Sequence, residues 1–428
     1  MNDANQKAQE SKVTMHKALD SVLKYFEIRD NKVYSGGQPL SDIVAETGSP
    51  LYLYDLNVAR QKYEKLRAAM PAEVEIHYAI KANPHPDIVA YFKNLGCGVD
   101  VASKGELEIA LKAGVAANRI GFAGPGKSPS ELEAACAAGI DSLNAESEEE
   151  LNQANAIAEK LGRKLNIALR INPAYELVAS GMRMGGGPKV FGIDEEQIPA
   201  ILQSFKRWPN LNFVGFHVFA GSQNLSHQSI ITALEQAFTL IEKLLPHCPL
   251  PPTMINLGGG FGIPYFATDE ELDIQAVGTA LQTLLQQKRS LFPQTRFIVE
   301  TGRYLIGEAG IYLAQILYRK ESRGEVFLVL NGGMNHQLAA SGNLGQIIKK
   351  PYPIVLIDKA GLPTAETVNV VGPLCTPIDT FGKKVELPTA EAGDLLAVFC
   401  SGAYGYTSSP LKFLGHAVPV EKVQPSKR

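Results

Sequence analysis

At 428 residues the chain exceeds a single small module and has room for two or three domains of about 150 residues each. Hydrophobic residues make up 45% and charged residues 20%, enough for a large buried core and outside the range of disordered chains. Forty-one Lys and Arg against 44 Asp and Glu leave a net charge of −3 with no dense basic run before the short tail, so nucleic acid and anionic membrane are poor partners.

Residues 1 to about 20 are polar and read as a disordered or helical leader. They lack the apolar core of a signal peptide, and no run of about 18 apolar residues follows anywhere. Five widely spaced cysteines form no CxxC pair, which suggests neither a disulfide framework nor a metal site. A cytoplasmic setting is the expectation. Residues 32–34 are strand-like before the Gly36-Gly37 turn. From about residue 50 a rhythm sets in: a short apolar run, a turn rich in Gly, Asn, Asp or Ser, then an amphipathic stretch. Strands are expected at 76–80, 98–102, 119–123, 142–145, 166–171, 213–219, 254–257 and 297–300. Between them the pattern is helical, as at 104–113, where Leu107, Ala110 and Leu111 share a face.

Eight βα repeats in about 250 residues predict a (β/α)8 barrel over residues 51–305. A doubly wound open sheet is the competitor, but no GxGxxG follows the first strand. After Arg303 strand-like runs at 312–318, 326–330, 354–357, 367–371 and 395–399 have little helix between them. They predict an antiparallel β domain over 306–428, to which residues 1–50 contribute a leader and a first piece.

In a (β/α)8 barrel the chemistry sits at the C-terminal strand ends. Those ends carry Lys81, Asp100, His217 with Ser222, the run Gly258-Gly259-Gly260, and Glu300 with Gly302 and Arg303. Singly each has an ordinary explanation: an edge charge, a packed histidine, a tight turn, an ion pair. Together they suit one cofactor. A lysine in the barrel mouth, desolvated towards its neutral form, is a nucleophile for a carbonyl. Three glycines bare N–H groups to a phosphate, and a carboxylate can hold a pyridine nitrogen protonated. The combination points to pyridoxal 5'-phosphate as electron sink. The glycine excess, 39 of 428 against roughly 7% in average usage, falls partly in these loops.

These residues lie in motifs that occur in a fixed order: YAIKAN (78–83), GVDVAS (98–103), GFAGPGK (121–127), FHVFAGSQ (216–223), NLGGGFG (256–262), ETGRYL (300–305), GPLCTPID (372–379) and SGAYGY (401–406). In them the sequence resembles the fold type III pyridoxal-phosphate decarboxylases, which include the diaminopimelate, ornithine and arginine enzymes. The resemblance implies that Lys81 carries the cofactor, His217 stacks on its ring and Glu300 pairs with the ring nitrogen. It assigns Ser222 and Gly258 to Gly260 to the phosphate, Arg303 to the phosphate and substrate carboxylate, and Tyr404 to a cofactor contact. Cys375 becomes the acid that protonates Cα, supplied across a head-to-tail homodimer. Fold type III racemases place an arginine where Glu300 stands, so the glutamate favours decarboxylation.

The sequence departs from the diaminopimelate and ornithine enzymes after the loop cysteine, where an acid that binds a distal amine is replaced by Thr376 and Pro377. Asp379, a little further along that loop, is expected to replace the lost acid in part as a substrate-binding carboxylate beside Thr376, the ordinary alternative being a solvated loop carboxylate. The CTPID loop, with the segment after GAYG, is similar to a smaller subgroup that acts on amino acids tethered to an acyl carrier protein, such as a glutamyl group. A free diamino acid, diaminopimelate above all, is the alternative substrate. The non-enzyme alternative is a silent regulatory homologue. The stretch 182–189 reads as a mobile surface loop, with a lid or carrier-docking segment as its functional reading.

Overall fold

In a computed structural model the structure describes residues 17–174, 182–183, 187–219, 221–344, 346 and 349–426. The chain divides into two units: residues 63–262 with 272–302, and residues 1–62 with 263–271 and 303–428.

In the first unit all eight expected strands form. They run Val74–Ala79, Gly98–Val101, Ile120–Phe122, Ser142–Ala145, Leu165–Asn172, Leu211–Val218, Met254–Gly259 and Arg296–Thr301. Each pairs in parallel with the next, and the last pairs with the first in the register Val299↔Ile76 and Glu300↔His77, closing the barrel. Closure leaves no open sheet edge, which disposes of the doubly wound alternative. Ala168, Met254 and Ile298, from three strands, are buried together inside it. Burial of each large aliphatic side chain of this kind contributes about 1.5–3 kcal/mol.

Serines start several of the helices that follow the strands. Ser103 accepts from the Glu106 N–H at 3.2 Å and Ser147 from the Glu150 N–H at 3.1 Å. Ser128 forms a reciprocal capping box with Glu131, and Ser226 caps His227–Leu244. Each such cap is worth about 1 kcal/mol. The serines that end GVDVAS and follow GFAGPGK therefore set where helices begin, which fixes where the strand ends stop.

The second unit is built on the strand Gly310–Ser322. Its first half pairs antiparallel with Leu51–Asp55 and Leu395–Val398, its second half with Glu325–Leu330. The expected antiparallel domain is in fact mixed: Glu325–Leu330 runs parallel to Glu366–Val371, and Val420–Gln424 runs parallel to Leu51–Asp55. The N-terminal piece also differs from expectation. Lys32–Ser35 lies in a small three-stranded sheet of its own, tied to Ile357 by the Val33 N–H at 2.9 Å. The strand that joins the large sheet is Leu51–Asp55, all five residues buried.

Candidate active site

The barrel strands bring Lys81, Asp100, His217 and Glu300 to one end. Lys81 follows Val74–Ala79 in a single 3-10 turn, and its Nζ lies 5.7 Å from the centre of the Phe219 ring. Contrary to the expected desolvation, Lys81 is exposed. The apolar run before it buries the strand but not the residue just past the strand's end. What surrounds the amine is negative charge, for Asp100, Glu106 and Glu300 all feel it electrostatically.

Glu300 is 5% exposed. Burial works against its charge, but His217, with Nε2 at 3.4 Å, Lys81 and the Asn256 amide outweigh it and hold the carboxyl below its ordinary range. Asp100 shows the opposite balance. Burial, then the charge of Glu300, pushes it well above the usual carboxylate range despite Lys81. Two carboxyls at one site are thus pushed in opposite directions, a pattern typical of functional sites.

Asn256 was not singled out by its sequence, although it opens NLGGGFG. Its side-chain NH2 donates to Glu300 and its carbonyl accepts from the Gly258 N–H at 2.9 Å, so it ties the glutamate to the glycine loop. The three glycines earn their place by close approach. A Cβ on Gly259 would collide with the Glu300 carbonyl oxygen, and one on Gly260, which has φ 79°, with the Gly221 carbonyl oxygen. Asn224 locks the same loops together, its N–H donating to the Gly260 carbonyl at 2.9 Å and its own carbonyl accepting from Gly262 at 3.0 Å. Ser222 is thereby held beside the glycine run. Gly302 packs against the turn that carries Lys81, where a Cβ would lie 2.6 Å from that of Ala82.

A further polar group at the strand ends also escaped the sequence reading. Arg170 donates to Glu146 at 2.8 Å, and Glu146 accepts the Gly124 and Gly192 N–H groups at 2.7 and 2.9 Å. It anchors the chain returning at Gly192 to the fourth and fifth strands. Met182–Arg183 pairs with Gly221–Ser222; the rest of the 182–189 stretch lies partly outside the described residues.

The remaining candidates belong to the second unit. Arg303 donates to the Tyr265 hydroxyl at 2.8 Å, and its guanidinium lies 4.5 Å from the centre of the Tyr404 ring. The arginine and Tyr404 are therefore brought together, with Tyr265 as an unforeseen partner whose hydroxyl burial pushes up to about 12. Cys375 is exposed and Thr376 half-buried. Asp379 needs correction as a substrate-binding carboxylate. It is 3% exposed, and its two oxygens accept the N–H groups of Met334 at 2.7 Å and Leu374 at 2.9 Å. It shapes the loop instead of presenting a charge from it.

The barrel residues fit pyridoxal phosphate. Among the described residues Nδ1 of His217 and Oδ1 of Asp100 are buried without a hydrogen-bond partner, which is costly unless a polar group comes to meet them. The run Gly258 to Gly260 presents no side chains, as a backbone phosphate cradle needs. A closed βα barrel with an amine, a buried anion and a glycine cradle at its strand ends defines a barrel-type pyridoxal-phosphate enzyme.

The pyridoxal-binding domain of the pyridoxal-dependent decarboxylases matches residues 56–307. The chain belongs to this family and is a pyridoxal-phosphate-dependent carboxy-lyase. It is 41% identical to the L-glutamyl-[BtrI acyl-carrier protein] decarboxylase of Niallia circulans, over 87% of this chain and 88% of that one. The diaminopimelate decarboxylase of Aquifex aeolicus is 33% identical, over 90% and 89%. The crystal structure of diaminopimelate decarboxylase from M. jannaschii in complex with L-lysine superposes with a TM-score of 0.86 at 27% identity, covering 94% of each chain. Among the described residues no helix is long and apolar enough to cross a membrane.

Proposed function

We propose that the chain removes the α-carboxylate of a glutamyl-type amino acid attached to an acyl carrier protein, working as a homodimer with shared sites. The observation that carries the substrate is Thr376, which leaves the loop after Cys375 without an exposed acid for a distal amine, Asp379 being buried and spent on backbone N–H groups. The 41% relative, whose name specifies a glutamyl carrier, supports the same reading. Diaminopimelate is the second reading, favoured by the 33% relative.

Bound pyridoxal phosphate supplies the sink for the electron pair released when the carboxylate leaves. Lys81 would hold the cofactor through its amine and release it to the substrate amine. Glu300, kept anionic by His217 and Asn256, would pair with the ring nitrogen and keep it protonated. His217 would lie against the ring. The glycine loop and Ser222 would hold the phosphate, and Arg303, oriented by Tyr265 and Tyr404, would take an anionic group of cofactor or substrate. Cys375 then gives its thiol proton to Cα. An exposed thiol is poorly placed for that work until a second chain covers it, which supports the dimer.

The reading is tested by carbon dioxide release from glutamyl-loaded carrier protein beside free diaminopimelate, lysine, ornithine and glutamate. Turnover of the loaded carrier, with the carrier losing the mass of carbon dioxide, is expected. Rapid turnover of free diaminopimelate with none of the carrier would overturn it.

A further inference from the structure

The second unit contains a groove of about 470 Å³, within the size range of ligand sites. One wall is apolar, with Pro377, Ile378 and Phe381, and the groove also carries Lys349, Lys350 and Lys383. All three lysines are exposed. Lys349 donates to the neutral side chain of Asn343, and Lys350 Nζ lies 5.7 Å from the Phe266 ring centre. Among the described residues none of the three is paired with a carboxylate. The nearby acid of the loop, Asp379, faces inward to backbone N–H groups. Three cations are thus gathered on one face with no internal partner, an arrangement that attracts an anion from outside.

Pro377 and Ile378 belong both to the groove wall and to the loop that carries Cys375 and Thr376. The groove wall therefore begins two residues along the chain from the cysteine. The arm by which a carrier protein holds its acyl group begins at a phosphodiester and continues as a thin, partly apolar chain ending in the thioester. Its charge suits the lysines and its chain suits the Pro377, Ile378 and Phe381 wall.

We infer that this groove is the docking track of the carrier protein, its lysines meeting the arm's phosphodiester and the acidic surface around it. The inference rests on the carrier-linked reading above. It is tested on the full-length holoenzyme by the triple variant K349E/K350E/K383E, assayed with glutamyl-carrier and with a glutamyl thioester of a short thiol that lacks the phosphate. The triple variant is expected to raise KM for the carrier by about tenfold, three exposed ion pairs being lost and replaced by repulsion. Its kcat, its cofactor absorbance and its turnover of the short thioester stay at wild-type values. Added salt raises KM of the wild type and leaves that of the variant nearly flat.

An unchanged KM and salt dependence with the carrier would overturn the groove while leaving the substrate reading intact. A wild-type enzyme that ignores glutamyl-carrier would overturn both. A change in oligomeric state in the variant would make the groove a subunit contact and also overturn the inference. Should the triple variant fold poorly, K350Q and K383Q assayed singly carry the same test, each expected to raise the carrier KM and spare the short thioester.

Discussion

Lys81→Ala is expected to abolish carbon dioxide release, and Cys375→Ala to reduce it to a small residue, yet mixing the two inactive proteins restores activity. Lys81 lies at the end of the first barrel strand, whereas Cys375 lies in a loop of the second unit, exposed. If each site takes its lysine from one chain and its cysteine from the partner, a mixed dimer carries one site with both defects and one with neither. Random re-association of equal amounts then leaves roughly a quarter of all sites intact, as two-fold symmetry requires. The measurement is specific activity after unfolding, mixing and refolding, against each variant refolded alone. No recovery, with dimers demonstrably re-formed, would place lysine and cysteine on the same chain's site and remove the shared arrangement.

Glu300→Gln carries the second large effect. The glutamate is buried, and its negative charge is maintained by His217, Lys81 and Asn256 against the cost of desolvation. Glutamine preserves size and a hydrogen-bonding carbonyl but cannot hold a protonated ring nitrogen. A fall in kcat of about 10²–10³-fold is expected, the usual cost of deleting one preorganised electrostatic partner. The covalent attachment of cofactor at Lys81 survives. A variant with wild-type kcat would show that protonation of the ring nitrogen does not depend on this residue. Because Glu300 is held below its ordinary range, it stays charged through neutral and mildly acidic pH, so an acid limb in the activity profile near neutrality belongs to another group.

The barrel was legible because its strands are short apolar runs and its helices begin on serine caps, both local signals. The strand Leu51–Asp55 was not. LYLYD is buried throughout and reads as the start of the barrel, but its partners are Gly310–Ser322 and Val420–Gln424, and nothing local names so distant a neighbour. Thr380–Leu387 escaped for a different reason: Lys383 and Lys384 interrupt the alternation, and Lys384 has φ 53°, where register shifts occur. At the site, groups recognised by chemical type were found at the expected strand ends. Those that work by orienting others were not. Asn256 and Tyr265 carry no charge to attract notice, and their importance lies in pairings with Glu300 and Arg303 that only the fold creates. Asp379 erred the other way, since a carboxylate in a loop suggests a ligand to a cation until its backbone partners are seen.

The central claim, that the barrel mouth at Lys81 is the pyridoxal-phosphate site, is tested most directly by reducing the holoenzyme with borohydride and mapping the cofactor-bearing peptide by mass spectrometry. One modified lysine is expected, Lys81, in the stretch HYAIKAN. A label on a different lysine, or none in a protein that still releases carbon dioxide, would contradict it.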